Sequence, residues 1–90
     1  MNSINKITDY IDYLTNKGFT LGEEAVGFIN FGKQYTSTED KLVIIAIELT
    51  LKIQKEFDGA FFISLLEMFH NERVRNKKQA LILLHSLNLI

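Results

Sequence analysis

The densest apolar stretch of the chain runs from Leu42 to Phe57 and contains neither Gly nor Pro. Its apolar residues fit two patterns at once. The first pattern is a period of two, typical of a β-strand, and it comprises Val43, Ile45, Ile47, Leu49, Leu51 and Ile53. A helical stripe is formed by Leu42, Ile45, Ala46, Leu49 and Ile53.

Helix is the favoured interpretation of this stretch for three reasons. The run is longer than a typical strand, and no second strand of comparable quality exists to pair with it. Two overlapping capping patterns also precede it, Thr36 to Glu39 and Ser37 to Asp40. Because it is the most apolar segment, we expect this helix to be the most buried element of the fold.

Two further helices are predicted before this stretch. Apolar residues at helical spacing predict the first helix over residues 2–17, and Gly18 is expected to end it in the left-handed conformation; the stripe is Ile4, Ile7, Ile11 and Leu14. Thr20 to Glu23 matches a capping box for the second helix, which Gly32 is expected to end. One face of that helix would carry Leu21, Ala25, Phe28 and Ile29.

The C-terminal third predicts one helix or two. Asp58 is placed to cap a helix, with Phe57 and Phe62 spaced as a hydrophobic staple. Asn76 with Gln79 forms a second capping signal, but the helix could also continue through it, so the pattern leaves open whether residues 59–88 form one helix or two. The apolar positions of this region are Phe62, Leu65, Leu66, Phe69, Ala80, Leu81, Leu84 and Leu87.

These elements predict an all-α fold, a compact bundle of four to five short helices forming a single domain over residues 1–90. The predicted core consists of Ile7, Ile11, Leu14, Ala25, Ile29, Leu42, Ile45, Ala46, Leu49, Ile53, Phe62, Leu65, Leu66, Phe69, Leu81 and Leu84.

Composition narrows the function classes. The absence of Cys excludes disulfides and thiolate metal sites, and a net charge of −1 argues against coating nucleic acid by bulk electrostatics. The longest unbroken apolar run, Leu42 to Ile47, is far too short to span a membrane, and no secretory leader is recognisable. We therefore expect a cytoplasmic protein without a membrane partner. The apolar share of 47% is high for a lone small bundle, so a homodimer is a further expectation.

No pattern of residues indicates catalysis. Gly27 to Lys33 has the spacing of a phosphate-binding loop, but Gln34 stands where Ser or Thr would bind magnesium, and no strand leads in. Glu67 and His70 share one helix face, yet a di-iron bundle needs two such pairs and two further Glu. We expect a non-enzymatic protein that uses no cofactor and no metal.

The best candidate for a binding site is a cluster of basic residues, Arg73, Arg75, Lys77 and Lys78. Cations this close together can contact phosphates or the acidic surface of a partner. The alternative is a solvated helix junction that contributes to solubility. Tyr10, Tyr13 and Tyr35 are expected at boundaries, either at the edge of the core or at a partner interface.

The segment 41–75 resembles, without gaps, the small acidic double-stranded-DNA-binding protein of T-even phages. The residues that carry the resemblance are Ile44, Ile47, Lys52, Asp58, Gly59, Phe62, Leu65, Leu66 and His70. The resemblance implies a helical phage-type regulator that contacts DNA or the transcription apparatus.

The leading functional hypothesis is a small non-enzymatic regulator or inhibitor that binds another protein. Such a protein would be a phage- or mobile-element-type modulator or an immunity-like protein. The alternative is a small DNA-binding transcription modulator, which rests on the basic cluster and on the resemblance. A protein partner is therefore expected first and nucleic acid second.

Overall fold

A computed structural model describes residues 6–90, and this part of the chain contains five α-helices and no strand. The helices are α1 (Ile7–Asn16), α2 (Glu23–Thr36), α3 (Asp40–Gln54), α4 (Gly59–Asn71) and α5 (Lys77–Ser86). The all-α prediction is confirmed, and residues 59–88 form two helices. Ile4, predicted on the first stripe, lies outside the described residues.

The α3 helix is the centre of the bundle, as the sequence predicted. Six of its residues are buried, more than in any other described helix, and it packs against α1, α2 and α4. Because neighbours cover several sides of α3, residues of both sequence patterns are buried, including Val43 and Ile47. The apparent period of two therefore reflects burial all round a helix.

Most of the predicted core is buried, and the exceptions lie at its edge. Ile11, Ala25, Leu42, Ile53 and Leu81 are half-buried. The prediction missed buried residues of three helices and of the α4–α5 connection, among them Tyr10, Val43, Ile47, Thr50, Val74 and Ala80.

Gly32 does not end α2, contrary to the prediction. The helix continues to Thr36, and Gly32 is buried within it. A Cβ atom on Gly32 would lie 2.9 Å from Leu66 Cδ1 and 3.0 Å from Phe62 Cε2, so the missing side chain lets α2 approach α4 closely. Position 32 is therefore a glycine because the two helices lie in close contact there, and not because the helix ends.

The capping predictions succeed for α4 and α5. Asp58 Oδ1 accepts a hydrogen bond of 3.0 Å from the Phe61 N–H, and the rings of Phe57 and Phe62 lie 5.3 Å apart as a staple. Asn76 Oδ1 accepts from the Gln79 N–H at 2.9 Å.

The capping predictions are wrong for α2 and α3. The α2 helix begins at Glu23 after Gly22, so Thr20 lies too early to cap it. Thr36 belongs to α2, and Glu39 precedes α3 without a side-chain cap. The pattern before α3 failed because α2 extends further than its glycines suggested.

Asp40 caps a helix other than its own. Its Oδ2 atom accepts a 3.1 Å hydrogen bond from the N–H of Ile7, the first residue of α1. Its Oδ1 atom pairs with the ammonium group of Lys33 on α2. These contacts hold the pKa of Asp40 below its usual value, chiefly through the hydrogen bond from Lys33 and then that from Ile7. One carboxylate thus ties α1 and α2 to the start of α3.

Candidate functional site

The predicted basic cluster divides into two parts in the structure. All four side chains are exposed. Arg73 and Arg75 line a groove, whereas the Lys77 ammonium lies 2.9 Å from the Glu48 carboxylate of α3. Lys78 does not line the groove. The candidate site therefore retains two of the four predicted residues.

We name this feature the junction groove, because the α2–α3 connection and the α4–α5 connection form its sides. Its volume is about 820 Å³. The charged residues that line it are Glu39, Lys41, Arg73 and Arg75, with His70 beside them. Its apolar lining comes from Leu42, Phe69 and Val74. Lys41 and His70 are site residues that the sequence analysis missed. Lys41 lies far from the basic cluster in the chain, and His70 lies before the cluster begins.

The backbone that carries Arg73 and Arg75 is held at several points. The N–H of Val74 donates to the Phe69 carbonyl at 2.9 Å, and Arg73 adopts the left-handed conformation, with φ of +55°, that this helix end requires. The Val74 side chain is buried. Gln79 Oε1 accepts a 2.7 Å hydrogen bond from the Arg75 N–H. The two guanidinium groups therefore extend from an ordered turn.

The junction groove is locally positive on a protein whose net charge is −1. Three cations line it, Lys41, Arg73 and Arg75, against the single carboxylate of Glu39. Arg side chains bind carboxylates and phosphates through paired N–H donors. Its chemistry suits a ligand that combines acidic groups with apolar ones.

A second exposed surface lies on α2, and we name it the aromatic face. It comprises Phe28, Phe31 and Tyr35, which are 38%, 57% and 64% exposed. The rings of Phe31 and Tyr35 stack with centroids 5.4 Å apart. Phe28 was predicted to share the face of Ile29, yet it lies at the surface against Gly59, while Ile29 is buried. The 28-31-35 spacing in the sequence was the signal that could have revealed this face.

A third surface is the cleft between α1 and α3. It is lined chiefly by apolar and aromatic groups, among them Tyr10, Tyr13 and Phe19. Tyr10 is buried, and this burial raises the pKa of its hydroxyl to about 12, with a smaller contribution from Glu48. Tyr13 is exposed, and the Lys17 ammonium lies 5.7 Å from its ring centroid. Tyr10 thus lies at the edge of the core, which is one of the two locations that the sequence analysis expected for it.

The weaker sequence motifs have structural explanations. Gly27 to Lys33 lies inside α2, so it forms no phosphate-binding loop. Lys33 instead pairs with Asp40 and donates to the Thr38 carbonyl at 3.3 Å. Glu67 and His70 line one small cavity beside Tyr35. Within residues 6–90, no group of three or more His, Asp or Glu side chains is arranged to hold a metal ion.

Comparison with known proteins identifies the family of the chain. A family model, described as a family of unknown function, DUF6123, matches residues 2–90. The chain belongs to DUF6123. No curated protein and no solved structure matches this DUF6123 chain. None of the helices described between residues 6 and 90 has the length and apolar character that crossing a membrane requires.

Proposed function

We propose that this DUF6123 protein is a small non-enzymatic regulator or inhibitor that acts by binding another protein in the cytoplasm. The observation that carries the proposal is the junction groove. It combines the positive charge of Lys41, Arg73 and Arg75 with an apolar lining, and it lies between two ordered helix junctions.

The composition of the groove indicates the kind of partner. A segment rich in acidic residues would satisfy the guanidinium groups, and an apolar side chain next to it would contact Leu42, Phe69 or Val74. Charge complementarity would increase the rate and the specificity of binding, while apolar contact would supply most of the free energy. A modulator of phage or mobile-element type and an immunity-like protein would both work in this way.

The test is affinity capture from an extract of the source organism with three forms of the protein as bait. They are the parent protein, a groove variant with Lys41, Arg73 and Arg75 changed to Glu, and a control with Lys17, Lys52 and Lys78 changed to Glu. The control changes the total charge equally at exposed positions outside the groove. Nuclease treatment of the extract removes capture through nucleic acid, and circular dichroism confirms that all three baits are helical.

We expect the parent protein and the control to retain the same protein partner and the groove variant to lose it. Equal capture by all three baits would exclude the groove as the binding site. Loss with both variants would indicate an effect of net charge alone.

A DNA-binding transcription modulator is the second candidate, and the paired arginines of the groove favour it. The resemblance of residues 41–75 to the phage DNA-binding protein supports it less, because most matching positions have structural roles. Ile47, Phe62, Leu65 and Leu66 are buried, and Asp58 caps α4.

Fluorescence anisotropy with a labelled DNA duplex tests this candidate. Binding through three phosphate contacts should weaken roughly twentyfold when the salt concentration rises about threefold, and the groove variant should not bind. Absence of binding by the parent protein at low salt would exclude DNA as the partner.

A further inference from the structure

The aromatic face of α2 leaves apolar surface in contact with solvent. Phe31 and Tyr35 stack on each other, while more than half of the surface of each side chain is exposed. The adjacent side of α2 packs on α4 through Gly32, and Phe28 at the edge of the aromatic face contacts Gly59 at the start of α4. Phe31 and Tyr35 are the more exposed part of the face, so it is these two rings that remain available to a partner.

Charge is distributed unevenly along this face. At the N-terminal end, the first turn of α2 carries Glu23 and Glu24, both exposed, and no cation. At the C-terminal end, Tyr35 and Ser37 adjoin the junction groove, where Lys41, Arg73 and Arg75 face Glu39. Glu67 beside Tyr35 and the exposed Glu72 next to Arg73 reduce the positive charge of this end.

A surface that is acidic at one end, apolar in the middle and basic at the other end is complementary to itself. A two-fold axis through the apolar middle would place two copies of α2 antiparallel, with each acidic end on the other copy's basic end. A different partner would need its own surface with the complementary order of charges, whereas a second copy of this chain already carries that order.

The helix dimensions agree with this arrangement. The midpoint of the aromatic face lies between Phe28 and Tyr35, and Glu24 lies about 11 Å from it at a rise of about 1.5 Å per residue. The same distance beyond the midpoint on the second copy reaches the α2–α3 connection, which leads directly to Lys41.

We propose that the aromatic face of α2 is the interface of a symmetric antiparallel homodimer, in which Glu24 of each copy pairs with Lys41 of the other. The aromatic rings supply the apolar contact, and the charged ends determine the orientation. Three aromatic side chains form only part of a standard interface, so self-association is expected in the micromolar range. This interface shares Lys41 with the junction groove, whereas Arg73 and Arg75 belong to the groove alone.

Sedimentation equilibrium from low micromolar to millimolar protein concentration measures the association. The parent protein should show a monomer–dimer equilibrium. Phe31→Asp should be monomeric throughout, and its control, Ile82→Asp, should associate like the parent, because Ile82 is similarly exposed but lies on α5. Circular dichroism verifies that both variants fold.

A charge exchange tests the symmetry. Glu24→Lys and Lys41→Glu should each weaken the dimer about tenfold, because a two-fold interface contains each contact twice. The two changes combined in one chain should restore association to near the parent's value. Glu39→Gln should strengthen it by removing the carboxylate that opposes Glu24.

Three results would overturn the proposal. They are a parent protein that stays monomeric at millimolar concentration, a dimer that survives Phe31→Asp, and a combined Glu24→Lys, Lys41→Glu chain that associates no better than either single variant. A dimer lost on Ile82→Asp would place the interface on α5 instead. None of these results affects capture of a protein partner through Arg73 and Arg75.

Discussion

At the scale of single residues, α2 shows that identical residue types can have opposite roles. A Cβ atom on Gly27 would point into open space, with nothing around it within 4 Å, whereas one on Gly32 would press against Leu66 and Phe62. The sequence alone treats both glycines as helix breakers. Only the packing of α2 on α4 shows that one of them is required.

Alanine substitution at these two glycines should therefore change stability in opposite directions. Gly27→Ala should stabilise the protein by about 0.5–1 kcal/mol through helix propensity. Gly32→Ala should destabilise it by about 1–3 kcal/mol, because the added methyl group overpacks the α2–α4 contact. Urea unfolding of both variants measures the free energies, and a stabilising Gly32→Ala would show that the Leu66 and Phe62 side chains can move aside without cost.

Asp40 should make stability depend on pH in the acid range. Its folded-state pKa lies below the ordinary value of 3.8 because it accepts hydrogen bonds from Lys33 and from the Ile7 N–H. The stabilisation is thus fully present above the unfolded-state pKa and is lost as the pH falls through the lower folded-state pKa. Asp40→Asn should be less stable than the parent at neutral pH, with a difference that shrinks below pH 3.8.

Denaturant unfolding of both proteins at a series of pH values measures this difference. A gap in free energy that stays constant throughout the acid range would mean that the ionised carboxylate makes no contribution of its own.

At the scale of secondary structure elements, every described helix is followed by a residue in the left-handed conformation. Only one of these residues is a glycine, Gly18, which the sequence correctly predicted. The others are Ser37, Lys55, Arg73 and Asn88. Because non-glycine residues carry no obvious stop signal, the sequence could not settle where α2 ends or whether the helix after Gly59 breaks.

Lys55 provides a test of this description, since it ends α3 with φ of +66° and is exposed. Lys55→Gly should stabilise the protein by about 1 kcal/mol by relieving the left-handed strain. Lys52→Gly, three residues earlier in the same helix, should cost about 1 kcal/mol. Thermal unfolding compares the two, and equal losses would show that residue 55 is helical in solution.

At the scale of the whole molecule, the fold was largely predictable and the site only partly so. Apolar spacing located α3, α4 and most of the core, because those residues interact with the protein's own interior. Two features could not be predicted from the sequence, because they depend on how distant helices pack. They are the capping of α1 by Asp40 and the presence of Lys41 beside Arg73 in the junction groove. The four basic residues that cluster along the chain do not lie together in the structure, since Lys77 pairs with Glu48.

The central position of α3 leads to a prediction for the bundle as a unit. Leu49 is completely buried, so Leu49→Ala should cost about 2–5 kcal/mol. Leu51→Ala in the same helix should lower the free energy of unfolding clearly less, because Leu51 is only half-buried. A loss below about 0.5 kcal/mol for Leu49→Ala in urea unfolding would place that side chain at the surface.

The most direct measurement of the central claim is site-specific photocrosslinking in cells of the source organism. A photoreactive residue replaces Asn71, which is exposed and lines the junction groove, or Gln54, which is exposed at the far end of α3. The proposed function predicts a discrete covalent adduct with another protein from position 71 and none from position 54. No adduct from position 71, or the same adduct from both positions, would contradict binding of a protein partner in the groove.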